Sequence, residues 1–165
     1  MKKILITGAD GFIGSHLTER LIKDGFDVTA FVHYNSFNSW GWLEEIDKKV
    51  LKNVRVLSGD IRDFQRIFLA TKKVECIINL AALIGIPYSY SSPESYIHTN
   101  IIGTSNILNA GIKNNVSKII HTSTSEVYGT PRKLPINEDA ILNAQSPYAA
   151  TKISADHLAL SFNKS

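Results

Sequence analysis

The sequence predicts an α/β fold built on a doubly wound parallel sheet, and three observations carry that expectation. Short β-rich runs alternate with longer helical patterns along the chain. A glycine-spaced turn follows the first apolar run and opens a helix. Loops rich in turn formers follow the strand-like runs, where a sheet of this kind builds its binding crevice.

The first strand is expected over 2–7, and Gly8-Ala9-Asp10-Gly11-Phe12-Ile13-Gly14 then opens a helix near 12–24. A tight turn, a close approach to a pyrophosphate and close helix–strand packing each need a residue without Cβ, and the helix N-terminus offers N–H groups to the anion. Without a ligand this would be only a glycine-rich turn; between a strand and a helix it reads as dinucleotide binding. The spacing is Gly-x-x-Gly-x-x-Gly rather than Gly-x-Gly-x-x-Gly, a variant within a Rossmann-type doubly wound sheet. A second strand over 27–33 ends in Phe31-Val32-His33-Tyr34, with no carboxylate where an NAD-preferring fold grips the ribose 2′-hydroxyl. His33, Asn35 and Ser36 would accept a 2′-phosphate, so NAD versus NADP stays open.

The stretch 34–42 is left without an assignment. A third strand over 54–58 leads through Gly59-Asp60-Ile61-Arg62-Asp63 into a helix over 62–72, and a fourth over 75–80 leads into Leu80-Ala81-Ala82. The fourth holds the only cysteine, Cys76, in an apolar run, where it reads as a small buried hydrophobe in a reducing compartment. A helix over 94–114, containing Asn100, precedes a fifth strand over 117–122. The stretch 129–145 again resists assignment. The last helix opens at Ser146-Pro147, with Ser146 as N-cap and Pro147 at a position whose missing N–H costs nothing.

Tyr148 and Lys152 stand four apart, on one face of that last helix. A cation beside a phenol favours the phenolate and moves it toward the range of a general base. Alone, such a pair is commonplace on a solvated face; downstream of the glycine turn it reads as functional. Thr122-Ser123-Thr124-Ser125-Glu126-Val127-Tyr128-Gly129 follows the fifth strand, and its hydroxyls are expected at the crevice, with Thr124 beside Tyr148. Ordinary turn capping would account for one or two of these hydroxyls but gives no reason for Glu126.

The bulk numbers bound the alternatives. With 165 residues, 44% hydrophobic and 20% charged, the chain suffices for one packed domain, 1–165. The net charge of +3 is spread without blocks, which argues against an electrostatic nucleic-acid or membrane binder. No apolar run reaches membrane-spanning length and the N-terminal run is too short for a signal peptide, so a cytoplasmic location is expected. His16, His98, His121 and His157 lack metal-ligand spacing, and no metal is expected.

In order and spacing, Gly8/Gly11/Gly14, Gly59 to Asp63, Asn79 to Ala82, Asn100, Ser123 to Gly129 and Tyr148-x-x-x-Lys152 resemble the extended short-chain dehydrogenase/reductases, the NAD-dependent epimerase/dehydratase family. The resemblance implies a sugar-nucleotide enzyme whose first step takes hydride from C4. It makes Tyr148 the base at the 4-hydroxyl, Lys152 its tuner and a holder of the nicotinamide ribose, and Thr124 a partner at that hydroxyl. Gly8, Asp10, Gly11, Phe12, Ile13, Gly14, His33, Asp60, Ile61, Leu80, Ala81, Ala82, Asn100, Thr122, Tyr148 and Lys152 would line the cofactor, NAD or NADP.

Residues 34–43, 82–90 and 146–148 are similar to the legionaminic-acid-pathway N-acetylglucosamine nucleotide 4,6-dehydratases, a likeness that puts Glu126 at C5/C6 and Ser125 and Tyr88 at the substrate. Epimerase and uronic-acid decarboxylase chemistries stand as alternatives, and a non-catalytic cofactor-binding fragment is the rival of another class. Extended members carry roughly as many residues again. The resemblance therefore implies a domain truncated before its C-terminal substrate domain, inactive in isolation, and a homodimer packed through helices 94–114 and 147–163.

Overall fold

Residues 2–131 and 133–164 are described by a computed structural model. Met1, Arg132 in the stretch 129–145, and Ser165 at the end of the chain lie outside them. Among the described residues the strands are β1 (Lys3–Thr7), β2 (Asp27–His33), β3 (Arg55–Gly59), β4 (Cys76–Asn79) and β5 (Lys118–His121), all parallel and ordered β3-β2-β1-β4-β5. The helices are α1 (Phe12–Lys23), α2 (Lys48–Leu51), α3 (Phe64–Ala70), α4 (Ile86–Ser91), α5 (Pro93–Tyr96), α6 (Gly103–Lys113) and α7 (Pro147–Lys164). A π-helical segment, Ile97–Ile102, joins α5 to α6, and 3₁₀ turns cover Gly41–Glu45 and Ser125–Tyr128.

All five expected strands form, within a residue or two of their expected ends. The expected 94–114 helix forms with a π-helical insertion that contains Asn100. The short helices α2 and α4 and both 3₁₀ turns escape a sequence reading, because one turn or so presents too few positions to show a helical period. No helix of the described residues is long and apolar enough to cross a membrane.

The expected span 1–165 divides into two compact units, Met1–Ala81 with Asn106–Thr122, and Ala82–Ser105 with Ser123–Ser165. In the first, side-chain alternation sends Ile4, Ile6, Val28, Ala30 and Val32 to one face of the sheet, where Leu17 and Leu21 of α1 pack. Leu5, Phe31 and Ile77 go to the other, against Ile67 of α3 and Ile107 and Ala110 of α6. A sheet buried on both faces explains why its strands read as near-continuous apolar runs. In the second unit Tyr96, Asn100, Val127, Tyr148, Ala149, Thr151, Lys152 and Ala155 are buried. Ser146 caps α7 as expected, its Oγ accepting the Ala149 N–H at 3.0 Å.

Candidate functional site

In the first unit the glycine turn is built as its spacing requires. Gly8 takes φ +69°, and a Cβ there would stand 2.8 Å from the Ala81 nitrogen, so the turn lies directly on Leu80-Ala81. At Gly14 a Cβ would be 2.1 Å from the Gly8 carbonyl oxygen, which makes that glycine a packing requirement. Gly11 differs: its Cβ would meet only the Gly8 oxygen, at 3.3 Å, and the residue is exposed. Gly11 is the N-cap of α1, with no side-chain cap and no acidic residue in the first turn. Phe12 and Ile13 beside it are 61% and 64% exposed. An open, uncapped helix N-terminus flanked by exposed apolar side chains fits the pyrophosphate of a dinucleotide.

Around this turn the strand ends carry ordered polar groups. The buried Thr7 hydroxyl donates to Asn79 Oδ1 at 2.6 Å, and Asn79 Nδ2 lies 3.1 Å from His121 Nδ1, so the ends of β1, β4 and β5 are tied together. The Thr122 N–H continues this edge with a bond to the Asn79 carbonyl at 3.2 Å. Asp10 reaches β2: its Oδ2 accepts the His33 N–H at 3.2 Å. At the end of β3, burial works against the Asp60 carboxylate, but hydrogen bonds from Arg62 outweigh it and hold the group below the usual range. Asn106 Nδ2 donates to the Ile61 and Arg62 carbonyls at 3.0 and 2.9 Å, fixing the loop that carries buried Ile61. Cys76 is half-buried, and burial pushes its thiol up, as suits an inert side chain.

In the second unit Tyr148 and Lys152, 7% and 5% exposed, sit one turn apart on α7. Burial lowers the Lys152 pKa, and the Asp156 carboxylate one turn further on opposes that shift. Asp156 also accepts a hydrogen bond from the Ser123 hydroxyl, which ties the residue before Thr124 to α7. Thr124 caps the 3₁₀ turn Ser125–Tyr128, accepting the Glu126 N–H at 3.3 Å, so one of the hydroxyls does the capping work that the sequence allowed for. Ser125 and the Glu126 side chain are exposed.

Asn100, expected at the cofactor, has its amide engaged inside the protein. Its Oδ1 accepts the Leu83 N–H at 2.8 Å, and its Nδ2 donates to the Leu83 carbonyl and the Thr151 hydroxyl, both at 3.0 Å.

Tyr96, Asp156 and Thr7 were not singled out from the sequence. Tyr96 is buried, donates to the Gly85 carbonyl at 2.6 Å, and stands edge-on to Tyr148 and tilted to the exposed Tyr88, both at 6.3 Å between centroids. Asp156 carried a readable signal, since Tyr148, Lys152 and Asp156 repeat every four residues. Among the described residues no group of three or more His, Cys, Asp or Glu could hold a metal ion.

Comparison with known proteins extends this picture. The family described as GDP-mannose 4,6 dehydratase matches residues 5–165. A UDP-glucose 4-epimerase of Pisum sativum is 30% identical over 173 residues, covering 99% of this chain and 48% of that protein. Among solved structures, the dTDP-glucose 4,6-dehydratase DesIV of Streptomyces venezuelae, with NAD bound, superposes with a TM-score of 0.89 at 28% identity over 99% of this chain and 52% of that one. The UDP-N-acetylglucosamine 4-epimerase of Methanobrevibacter ruminantium gives 0.89 at 32% identity over 99% and 51%. The chain thus spans about half the length of these relatives. Dehydratases and epimerases both appear among them, and the narrower likeness to legionaminic-acid-pathway dehydratases has no counterpart in these matches.

Proposed function

The chain belongs to the GDP-mannose 4,6 dehydratase family, and on that premise we propose that it acts on a nucleotide-activated sugar by oxidation at C4. The observation that carries the proposal is the burial of an ionisable pair, Tyr148 and Lys152, one turn apart on α7. Burying a lysine is costly, and such groups concentrate at sites of chemistry.

When bound, a nicotinamide dinucleotide would supply the redox chemistry, as acceptor of the C4 hydride and as its donor in the later reduction of the sugar. NAD and NADP both answer to the family, and the glycine turn, the open α1 N-terminus and the Asp60 loop are the groups that would hold either. The Tyr148 phenolate accepts the proton of the 4-hydroxyl as C4 becomes a ketone. Lys152 stabilises the phenolate and holds the nicotinamide ribose, and Thr124 positions the hydroxyl.

For the next step we propose dehydration. Glu126, exposed on the turn that Thr124 caps, takes the C5 proton; a C5–C6 double bond forms as the C6–O bond breaks, and the departing hydroxyl takes a proton from solvent to leave as water. A nucleotide-activated N-acetylglucosamine is the proposed substrate, which makes the enzyme a lyase; a homodimer in the cytoplasm completes the reading. Epimerisation at C4 is the second reading, favoured by the epimerases among the relatives. Reaction of a nucleotide-sugar panel in deuterated water, read by mass spectrometry, tests both. A 4-keto-6-deoxy product carrying deuterium supports dehydration, whereas a C4 epimer formed without loss of water overturns it.

A further inference from the structure

The sequence shows no carboxylate at the end of β2, yet the structure places one there from a residue 23 positions away. Asp10, between Ala9 and Gly11 at the tip of the glycine turn, accepts the His33 N–H through Oδ2 at 3.2 Å. Its backbone is held as firmly. The Asp10 carbonyl accepts the Trp42 N–H at 3.0 Å, and Gly41 approaches so closely that a Cβ there would be 2.7 Å from the same oxygen. The carboxylate is therefore a fixed feature of the strand end at which this kind of fold reads the adenosine ribose.

The neighbouring charges point the same way. Asp60 adds a second carboxylate at the end of β3. Arg62, the cation beside it, is engaged by that carboxylate, with Nε at 3.0 and 2.9 Å from its two oxygens. Arg66 donates its Nε to the Ser58 carbonyl at 2.8 Å. A ribose 2′-hydroxyl brings a hydrogen to share with Asp10. A 2′-phosphate brings up to two negative charges and only acceptor oxygens, and it would meet Asp10 directly, while Arg62 is paired with Asp60 and Arg66 is engaged through its Nε.

We propose that the Asp10 carboxylate is a specificity-determining residue that makes this site select NAD over NADP, replacing the acid that the end of β2 lacks. The proposal rests on the dinucleotide-binding reading above and adds the choice of cofactor to it.

Calorimetric titration of the protein with NAD and, separately, with NADP tests it without any need for turnover. The wild type should bind NAD at least about 10-fold more tightly, the scale of one discriminating polar contact. Asp10→Asn keeps an oxygen for the His33 N–H but removes the charge, so NADP should gain and the ratio should fall to within about 3-fold. Equal or tighter binding of NADP by the wild type overturns the proposal, as does an unchanged ratio in Asp10→Asn. Should that variant fail to fold, judged by circular dichroism, the wild-type ratio decides alone. Binding of neither dinucleotide would overturn the dinucleotide-binding reading itself, an outcome distinct from loss of selectivity.

Discussion

Asn100 donates through Nδ2 to the Thr151 hydroxyl at 3.0 Å, and that hydroxyl donates in turn to the Tyr148 carbonyl at 2.8 Å. The same amide holds both backbone groups of Leu83. One buried side chain thus fixes the loop after Ala82 and the first turn of α7, the turn that presents Tyr148. A buried polar network of this kind is favourable only while every member is satisfied.

Asn100→Ala is expected to be among the more damaging single changes. It removes the partner of the part-buried Leu83 N–H and carbonyl and of the buried Thr151 hydroxyl, where a fully buried group left unpaired costs about 1–3 kcal/mol. We expect a loss of about 3 kcal/mol in urea unfolding. A loss below about 0.5 kcal/mol, the range of ordinary surface changes, would show that the amide is dispensable as a brace.

The glycine turn separates packing from binding. Gly14→Ala sets a Cβ 2.1 Å from the Gly8 oxygen and should impair folding outright. Gly11→Ala meets only that oxygen, at 3.3 Å, from ordinary extended backbone (φ −81°, ψ 169°), so the fold should survive with a small shift. Because Gly11 caps the open N-terminus of α1, a side chain there should nonetheless weaken dinucleotide affinity at least about 10-fold by blocking close approach of the phosphates. Unchanged affinity in calorimetry would remove Gly11 from the cofactor site.

These cases show what a sequence reveals and what it hides. The strands were legible because a sheet covered on both faces needs runs such as Ile4-Leu5-Ile6 and Ala30-Phe31-Val32, which turn formers then interrupt. The glycine turn was legible because its demands are local. Asp10 was legible as a member of the turn, but its arrival at β2 depends on the pairing of β1 with β2 and on the 34–42 loop, which carries no period. Asn100 carries a signal only through resemblance, and its partners Leu83 and Thr151, 17 and 51 positions away, meet it only on folding. Tyr96 gave no local signal, and only folding brings it edge-on to Tyr148.

Lys152 and Asp156 predict a pH signature. Burial lowers the Lys152 pKa from its ordinary 10.5, so the unfolded chain holds that proton more tightly than the folded one. This contribution to stability therefore rises with pH from the folded pKa to the unfolded one, and below both the fold bears the full cost of the buried charge. Asp156→Asn removes the opposing carboxylate, lowers the folded pKa further and enlarges that cost. The variant should lose more stability at pH 7 than well above pH 10.5, where Lys152 is neutral in both states. The lost Ser123 hydrogen bond contributes equally at each pH. Urea unfolding of both proteins across this range checks it, and a difference independent of pH would leave Asp156 a purely structural role.

Tyr148→Phe should preserve the edge-on contact with Tyr96 and the stability of α7, since only the hydroxyl is removed. Turnover of a nucleotide sugar should fall at least about 100-fold, the scale of a lost acid–base group, with dinucleotide affinity changed little. Near-normal turnover would transfer the role of base to another group.

The role of Glu126 separates the two proposed outcomes. Its backbone N–H is bound by Thr124 and its carbonyl by the Gly129 N–H at 3.3 Å, so the turn holds its shape whatever the side chain. The carboxylate is exposed and serves none of these bonds, which makes Glu126→Gln a clean removal of a base. If dehydration follows oxidation, this variant should still oxidise C4 but take the C5 proton at least about 100-fold more slowly. The 4-keto sugar and the near-ultraviolet absorbance of reduced nicotinamide should then build up together in a single turnover, and deuterium should no longer enter from solvent. Epimerisation at C4 leaves the C5 proton in place, so the same variant of an epimerase would turn over at close to the wild-type rate and return the C4 epimer. Wild-type formation of a 6-deoxy sugar by Glu126→Gln would likewise assign the C5 proton to a different residue.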